Sequence, residues 1–118
     1  MNVERVDFIN IPTRDAARAR AWYRDVLGLP ADPNEPGELT AGQVTITFWQ
    51  PEEEGFEFKP DIGGFALRVA DVEEAKAELE AKGVEFVGSG DTGVCRMAVC
   101  LDPDGNAVIL HRRYKPYE

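Results

Sequence analysis

The sequence GFALRVADVEEAKAELEAKG, residues 64–83, joins a strand pattern directly to a helix pattern. From Phe65 to Val69, apolar residues alternate with small or polar ones, which is the period of a half-buried strand. From about Val72 to Lys82 the apolar residues recur at three-and-four spacing, which predicts an amphipathic helix. Gly83 follows as a helix stop. This stretch is therefore predicted to form one strand–helix unit.

A similar stretch, ERVDFINIPTRDAARARAWYRDVLG, occupies residues 4–28. Its pattern predicts a strand over residues 4–11 and a helix from about Asp15 to Leu27. Either Thr13 or Asp15 can cap the start of this helix with a side-chain oxygen. The chain thus contains a second strand–helix unit.

The two units recur at a nearly constant offset. Asp15 and Asp71, which precede the two helices, are 56 residues apart, and Gly28 and Gly83, which follow them, are 55 apart. A fixed offset is the mark of an internal repeat. We therefore expect two copies of one module within a single domain of residues 1–118.

Three further strands are predicted in each module, which gives two βαβββ modules. In the first module they are 29–32, 38–41 and 44–49, and in the second 84–87, 94–101 and 107–113. The first module is expected to span about residues 1–50 and the second about 62–114. Residues 51–61 are polar and rich in proline and glycine, so they are predicted to be a linker.

Three motifs in this order resemble the vicinal oxygen chelate superfamily, which contains glyoxalases, bleomycin-resistance proteins and extradiol dioxygenases. They are NIPTRD at residues 10–15, DVEEA at 71–75 and DPDGN at 102–106. The resemblance covers about residues 4–112. It implies an α+β fold in which the two modules form a cupped mixed sheet with helices on the convex side, and it implies a homodimer.

The resemblance also implies where a metal would bind, on the first and last strand of each module. Those places hold residues without coordinating side chains: Phe8, Ile46, Gly64 and Ile109. The chain has one histidine, His111, so no site with two histidines can form from one copy of each residue. Asp7 is nearby, but strand alternation predicts that it faces away from Phe8. We therefore expect a member that lacks the metal site, with no metal and no other cofactor.

Strand alternation places a small-molecule site on the open face of the strands. The predicted ligand-binding residues are Phe8, Asn10, Ile46, Trp49, Arg68, Ile109 and His111. Three of them have structural alternatives: Arg68 can pair with a surface acid, His111 can be a partly exposed structural residue, and Asn10 can hydrogen-bond the turn at Pro12. Without an acidic partner Arg68 would select an anion, and with one the acidic surface would favour a cation.

Composition restricts the classes of partner. A net charge of −9 argues against nucleic acid and favours a cationic small molecule. No apolar run is long enough to span a bilayer and no signal-peptide pattern is present, so a cytoplasmic location without membrane contact is expected. Cys95 and Cys100 lie five residues apart in one predicted strand. Their side chains therefore point to opposite faces, and both are expected to be reduced thiols.

These observations favour a metal-independent protein that binds a small molecule. Sequestration of an aromatic or cationic compound, as by bleomycin-resistance proteins, is the form of binding that we expect. The alternative is a metal-independent lyase or isomerase in which His111 or Arg68 takes part, for which no catalytic pair is visible. A regulatory subunit without pocket chemistry is the third hypothesis.

Overall fold

The computed structural model describes residues 1–117. The chain divides into two compact units, the first ending at Lys59 and the second beginning at Pro60. Each unit contains one α-helix and one mixed β-sheet, which confirms the predicted α+β class. Within these residues, no helix combines the length and the apolar character that crossing a membrane requires.

The first unit contains three strands and one α-helix. They are β1 (Phe8–Pro12), α1 (Ala16–Asp25), β2 (Leu39–Ala41) and β3 (Val44–Trp49). The strand order is β1-β3-β2, with β1 parallel and β2 antiparallel to β3. A short 3-10 helix, Pro51–Glu54, follows β3.

The second unit contains four strands and one α-helix. They are β4 (Phe65–Arg68), α2 (Val72–Ala81), β5 (Phe86–Asp91), β6 (Cys95–Leu101) and β7 (Ala107–Arg113). The strand order is β4-β7-β6-β5, with β4 parallel to β7 and the other pairs antiparallel.

The predicted repeat is confirmed by the shared topology of the two sheets. In each unit the first strand lies parallel to the last, and the strand before the last pairs on its other side. In the first unit the predicted strand at residues 29–32 is reduced to a single bridge between Ala31 and Leu39. Pro30 and Pro33 flank that bridge and lack the N–H groups that a longer ladder needs.

Both helices begin at the predicted acidic caps. The carboxylate of Asp15 accepts a hydrogen bond from the Arg18 amide at 3.1 Å, so Asp15 rather than Thr13 is the cap of α1. The carboxylate of Asp71 accepts one from the Glu74 amide at 2.9 Å. Each cap satisfies an amide that the helix itself leaves unpaired.

Each helix covers one face of its own sheet. In the first unit Tyr23 of α1 is fully buried and its ring centroid lies 5.1 Å from that of Phe48 on β3. In the second unit α2 packs against β6 and β7, where the alternate residues Val108 and Leu110 are buried. The other face of each sheet is left without a helix from the same unit, and the predicted ligand residues were assigned to that face.

Three further predicted segments differ from the structure. The strand predicted over residues 84–87 is β5, which begins at Phe86 and continues to Asp91. Strand β1 begins at Phe8, so residues 4–7 lie outside the strand predicted over residues 4–11. The predicted linker at residues 51–61 contains the 3-10 helix and the buried Phe58, whose ring lies 4.3 Å from the guanidinium carbon of Arg14. Burial of this ring fixes part of a segment whose composition indicated only a connection.

Cys95 and Cys100 are both free thiols, as predicted. Cys100 is fully buried on β6, and this burial raises the pKa of its thiol to about 11. The thiol is therefore protonated at neutral pH and is a poor nucleophile.

Candidate functional site

The open face of the first unit is formed by alternate residues of β1 and β3. Phe8 is opposite Thr45 in the parallel ladder and Asn10 is opposite Thr47. Phe8 is 55% exposed, which is high for a phenyl ring in a strand. The Thr47 hydroxyl donates to Asn10 Oδ1 at 3.0 Å. A phenyl ring and two threonine hydroxyls thus share one exposed surface.

The prediction that Ile46 lies on this face is wrong. Ile46 is opposite Ile9 in the ladder and is fully buried on the helix side of the sheet. The prediction aligned the turns at Gly42 and Gly105, but the ladders show that this alignment is one residue out of register. Because side chains alternate between faces, a slip of one residue exchanges the open face for the core.

The ladder register identifies the true counterpart of Ile109. Ile109 is opposite Ala66, one residue after the first residue of β4. Ala66 lies five residues before Asp71, the cap of α2, and Asn10 lies five residues before Asp15, the cap of α1, so Asn10 is the counterpart of Ala66. The ladder partner of Asn10 is Thr47. The four places where the superfamily would hold a metal are therefore Phe8, Thr47, Gly64 and Ile109.

These side chains do not fit a metal ion. Apart from the Thr47 hydroxyl, which already donates to Asn10, they carry no coordinating atom. Gly64 has a φ of +65°, and a Cβ atom there would lie 2.2 Å from the Ala107 carbonyl oxygen, so a histidine cannot be accommodated without moving β7. Within residues 1–117, no three His, Cys, Asp or Glu side chains are grouped closely enough to hold one ion.

A groove of about 460 Å³ opens beside Phe8, and we call it the first-unit groove. Its lining residues are Arg5, Asp7, Phe8, Glu35, Glu38, Thr45 and Thr47. The prediction that Asp7 faces away from Phe8 is wrong, because both residues line this groove. Asp7 precedes β1, so strand alternation does not govern its direction.

Carboxylates outnumber cations in the first-unit groove. Arg5 pairs with Asp7 at 3.2 Å, and both side chains are well exposed. Glu38 Oε1 lies 3.5 Å from the Arg20 guanidinium, but Glu38 Oε2 is buried and has no hydrogen-bond partner within residues 1–117. A buried acceptor without a donor carries an unmet desolvation cost. Arg20 Nε is likewise buried without a partner in the described chain, so both unpaired atoms belong to the Arg20–Glu38 ion pair.

Asp32 holds residues of the first-unit groove in place through hydrogen bonds. Its carboxylate accepts hydrogen bonds from the Thr45 hydroxyl at 2.6 Å and from the amides of Asn34 and Glu35 at 2.8 and 3.2 Å. The Thr45 hydrogen bond, followed by the Asn34 amide, lowers the pKa of Asp32 below its ordinary value. This network ties the loop that carries Glu35 to strand β3.

The remaining first-unit predictions lie beside the groove. Asn10 is exposed and contacts the groove through its bond with Thr47. Trp49 is half-buried at the end of β3, opposite Pro12, and its ring centroid lies 6.3 Å from that of Phe56. The structure does not place Trp49 among the lining residues of the first-unit groove.

The open face of the second unit carries the other predicted residues. Ala66 is opposite Ile109, and Arg68 is opposite His111 on the parallel strands β4 and β7. Arg68 and His111 line a groove of about 410 Å³, which we call the second-unit groove. Ile109 is half-buried on the same face but is not among its lining residues. Arg68 is exposed and forms no ion pair within the described part of the chain.

Residues after β7 form the rest of the second-unit groove. Arg113, Tyr114, Lys115 and Tyr117 line it together with Pro116. The Tyr114 hydroxyl donates to Asp91 at 2.7 Å, which ties this segment to β5. This hydrogen bond lowers the pKa of Asp91 and raises that of Tyr114.

Sequence reasoning missed several lining residues. Thr45 and Thr47 could have been found, because they alternate with apolar residues in VTITFW and so mark the open face. Glu35 and Glu38 lie in a loop far along the chain from Phe8. No local sequence pattern predicts that Glu35 and Glu38 line the same groove as Phe8.

The sequence model of the Glyoxalase/Bleomycin resistance protein/Dioxygenase superfamily matches residues 5–110. A comparison with curated proteins finds no match to the chain.

Solved structures share the fold. A lactoylglutathione lyase from Agrobacterium tumefaciens aligns with a TM-score of 0.75 and 22% identity, covering 93% of this chain and 94% of its own. An antibiotic binding protein, TnmS3 from Streptomyces sp. CB03234, aligns with a TM-score of 0.77 and 23% identity, covering 96% and 98%. A superfamily member from Sphaerobacter thermophilus DSM 20745 has a TM-score of 0.73 and 25% identity, covering 92% and 97%.

Proposed function

We propose that this chain, which belongs to the glyoxalase/bleomycin resistance protein/dioxygenase superfamily, binds a small cationic or aromatic molecule without a metal ion. The site is the first-unit groove. The observation that carries the proposal is the excess of carboxylates, Asp7, Glu35 and Glu38 against Arg5, in a groove that also exposes the ring of Phe8. An ammonium or amidinium group would pair with these carboxylates.

Charge in the groove supports a cationic ligand. Asp7, Glu35 and Glu38 line it against one guanidinium, that of Arg5. Arg5 is already engaged by Asp7 and Glu38 by Arg20, so Glu35 is the carboxylate that attracts a cation most directly. The net charge of −9 on the whole chain also attracts a cation.

The ring of Phe8 favours an aromatic or cationic ligand group in the first-unit groove. A cation over a phenyl face gains about 0.5–1 kcal/mol at exposed sites, and a flat ring can stack on it. The Thr45 and Thr47 hydroxyls beside Phe8 provide a few polar contacts for orientation, which is the usual composition of a small-molecule site.

Sequestration is favoured over turnover in this groove. The groove contains no histidine, cysteine or lysine that could act as a nucleophile or a base near neutral pH. One solved structure of the same fold is an antibiotic binding protein, which agrees with a role in holding a ligand.

A metal-independent lyase or isomerase is the second candidate function. His111 is half-buried and lies opposite Arg68, so a base and a charge-stabilising guanidinium face one groove. This candidate requires that the bound molecule be converted, whereas sequestration returns it unchanged.

Calorimetric titration with 2-naphthylmethylamine tests the proposal. We expect saturable binding that persists in EDTA, and elemental analysis of the protein showing well under one divalent ion per chain. Glu35→Gln and Phe8→Ala should each weaken binding by about fivefold, since each removes a contact of about 1 kcal/mol. Glu78→Gln, on an exposed face of α2, makes the same charge change and serves as the control.

Unchanged affinity in both groove variants would show that the first-unit groove is not the site. Loss of binding in EDTA would refute metal independence. A product found by chromatography of the recovered ligand would favour the second candidate, because sequestration returns the ligand unchanged.

A further inference from the structure

We infer that the second-unit groove binds an anionic aromatic molecule, one that carries a carboxylate or a chemically equivalent group on a ring. This inference concerns a different groove and a ligand of opposite charge, so it does not depend on the proposed function of the first-unit groove. It rests on the charges and the rings that line the groove.

Among the described residues that line the second-unit groove there are cations and no carboxylate. Arg68, Arg113 and Lys115 contribute three positive charges. Asp91, beside the groove, accepts a hydrogen bond from the Tyr114 hydroxyl, lies 3.8 Å from the Arg96 guanidinium and also interacts with the charge of Lys115. Asp91 is therefore engaged, and the lining residues retain a net positive charge.

Arg68 is the principal anion-binding residue. It is exposed on the open face of β4 and has no ion-pair partner within residues 1–117. A guanidinium offers two parallel N–H donors that match a carboxylate. The sequence left two outcomes for Arg68, and the absence of an acidic partner in the described chain selects the anion.

Arg113 provides a second, independent observation. Its guanidinium lies 4.2 Å from the centroid of the Tyr117 ring and donates to the Pro116 carbonyl oxygen at 3.3 Å. These contacts fix its plane, while its Nε is buried and has no hydrogen-bond partner within the described residues. The guanidinium is thereby held in the wall of the second-unit groove, where its positive charge adds to that of Arg68.

The rings of the groove account for the aromatic part of the ligand. Tyr114 is 47% exposed and Tyr117 is 84% exposed, although both line the groove. A flat apolar ligand can cover such rings at a gain of about 25 cal/mol for each Å² of apolar surface removed from water. The overall charge of −9 opposes an anion only weakly, because exposed charges are screened beyond about 8–10 Å.

The test is a calorimetric titration of the full chain with 2-naphthoate, followed in parallel by NMR shifts of the His111 ring. We expect saturable binding and shifts at His111. Arg68→Gln should weaken binding by about tenfold, the value of a charge-assisted hydrogen bond. Arg113→Gln should weaken it by a similar factor, and Arg68→Lys should have an intermediate effect, since it keeps the charge without the paired donors.

Lys82→Gln is the matched control, because it makes the same charge change at the C-terminal cap of α2, the helix that covers the other face of this sheet. The inference is overturned if 2-naphthoate does not bind, if both arginine variants bind it unchanged, or if Lys82→Gln weakens binding as much as they do. Failure of 2-naphthylmethylamine to bind would affect only the first-unit groove, so the two proposals fail separately.

Discussion

Alanine substitutions at Gly64 and Gly42 can separate the steric cost of an added Cβ atom from the conformational cost of a positive φ. Both have positive φ, +65° and +60°, but a Cβ on Gly64 would lie 2.2 Å from the Ala107 carbonyl oxygen, while one on Gly42 would meet nothing within 4 Å. Gly42→Ala should lower the free energy of unfolding by about 1 kcal/mol. Gly64→Ala should lower it by about 3 kcal/mol or more, since it adds a clash with β7.

Urea unfolding followed by circular dichroism measures both losses. Equal losses would show that β7 moves away from residue 64 at little cost. In that case a histidine could also be introduced there, and the argument that Gly64 excludes a metal ligand would be wrong.

The carboxylate of Asp32 makes the stability of the first unit depend on pH in the acid range. The Thr45 hydrogen bond lowers the pKa of Asp32 below the ordinary value of an aspartate. A lowered folded-state pKa stabilises the fold above the unfolded value, and this contribution disappears as pH falls through the folded value. We expect Thr45→Val to raise the pKa of Asp32, measured by NMR titration of its carboxyl carbon, and to reduce the loss of stability below about pH 4. An unchanged pKa would mean that the backbone amides dominate.

Among the secondary-structure elements, the N-terminal cap of α2 can be tested directly by substitution. Asp71→Ala removes the acceptor of the Glu74 amide and should lower the free energy of unfolding by about 1 kcal/mol. Asp71→Asn keeps an acceptor oxygen and should cost much less. If both variants lose the same stability in urea, the charge of Asp71 rather than its hydrogen bond supports the helix.

For the whole molecule, we expect a homodimer. Strands β1 and β4 each form the edge of their sheet, and an uncovered edge invites pairing with another chain. Light scattering at micromolar concentration should give twice the chain mass of 13.1 kDa. A mass near that of one chain would contradict this expectation.

The repeat, its helices and its family could be predicted from sequence because their signals are local. Apolar spacing, the acidic caps at Asp15 and Asp71 and the glycines at the helix ends lie within a few residues of the structure that they specify. The lack of coordinating side chains at Phe8, Gly64 and Ile109, where the resemblance implies metal ligands, was equally visible in the sequence.

Only the tertiary structure decided which side chains share a groove. The pairing of β1 with β3 placed Thr47 rather than Ile46 on the open face, because a slip of one residue in a ladder reverses every side chain. The approach of Glu38 to Phe8, and of Arg113 to Tyr117, likewise depends on contacts that no local periodicity encodes. Local spacing determined the elements of this protein, and the non-local register of its strands determined the chemistry of its two grooves.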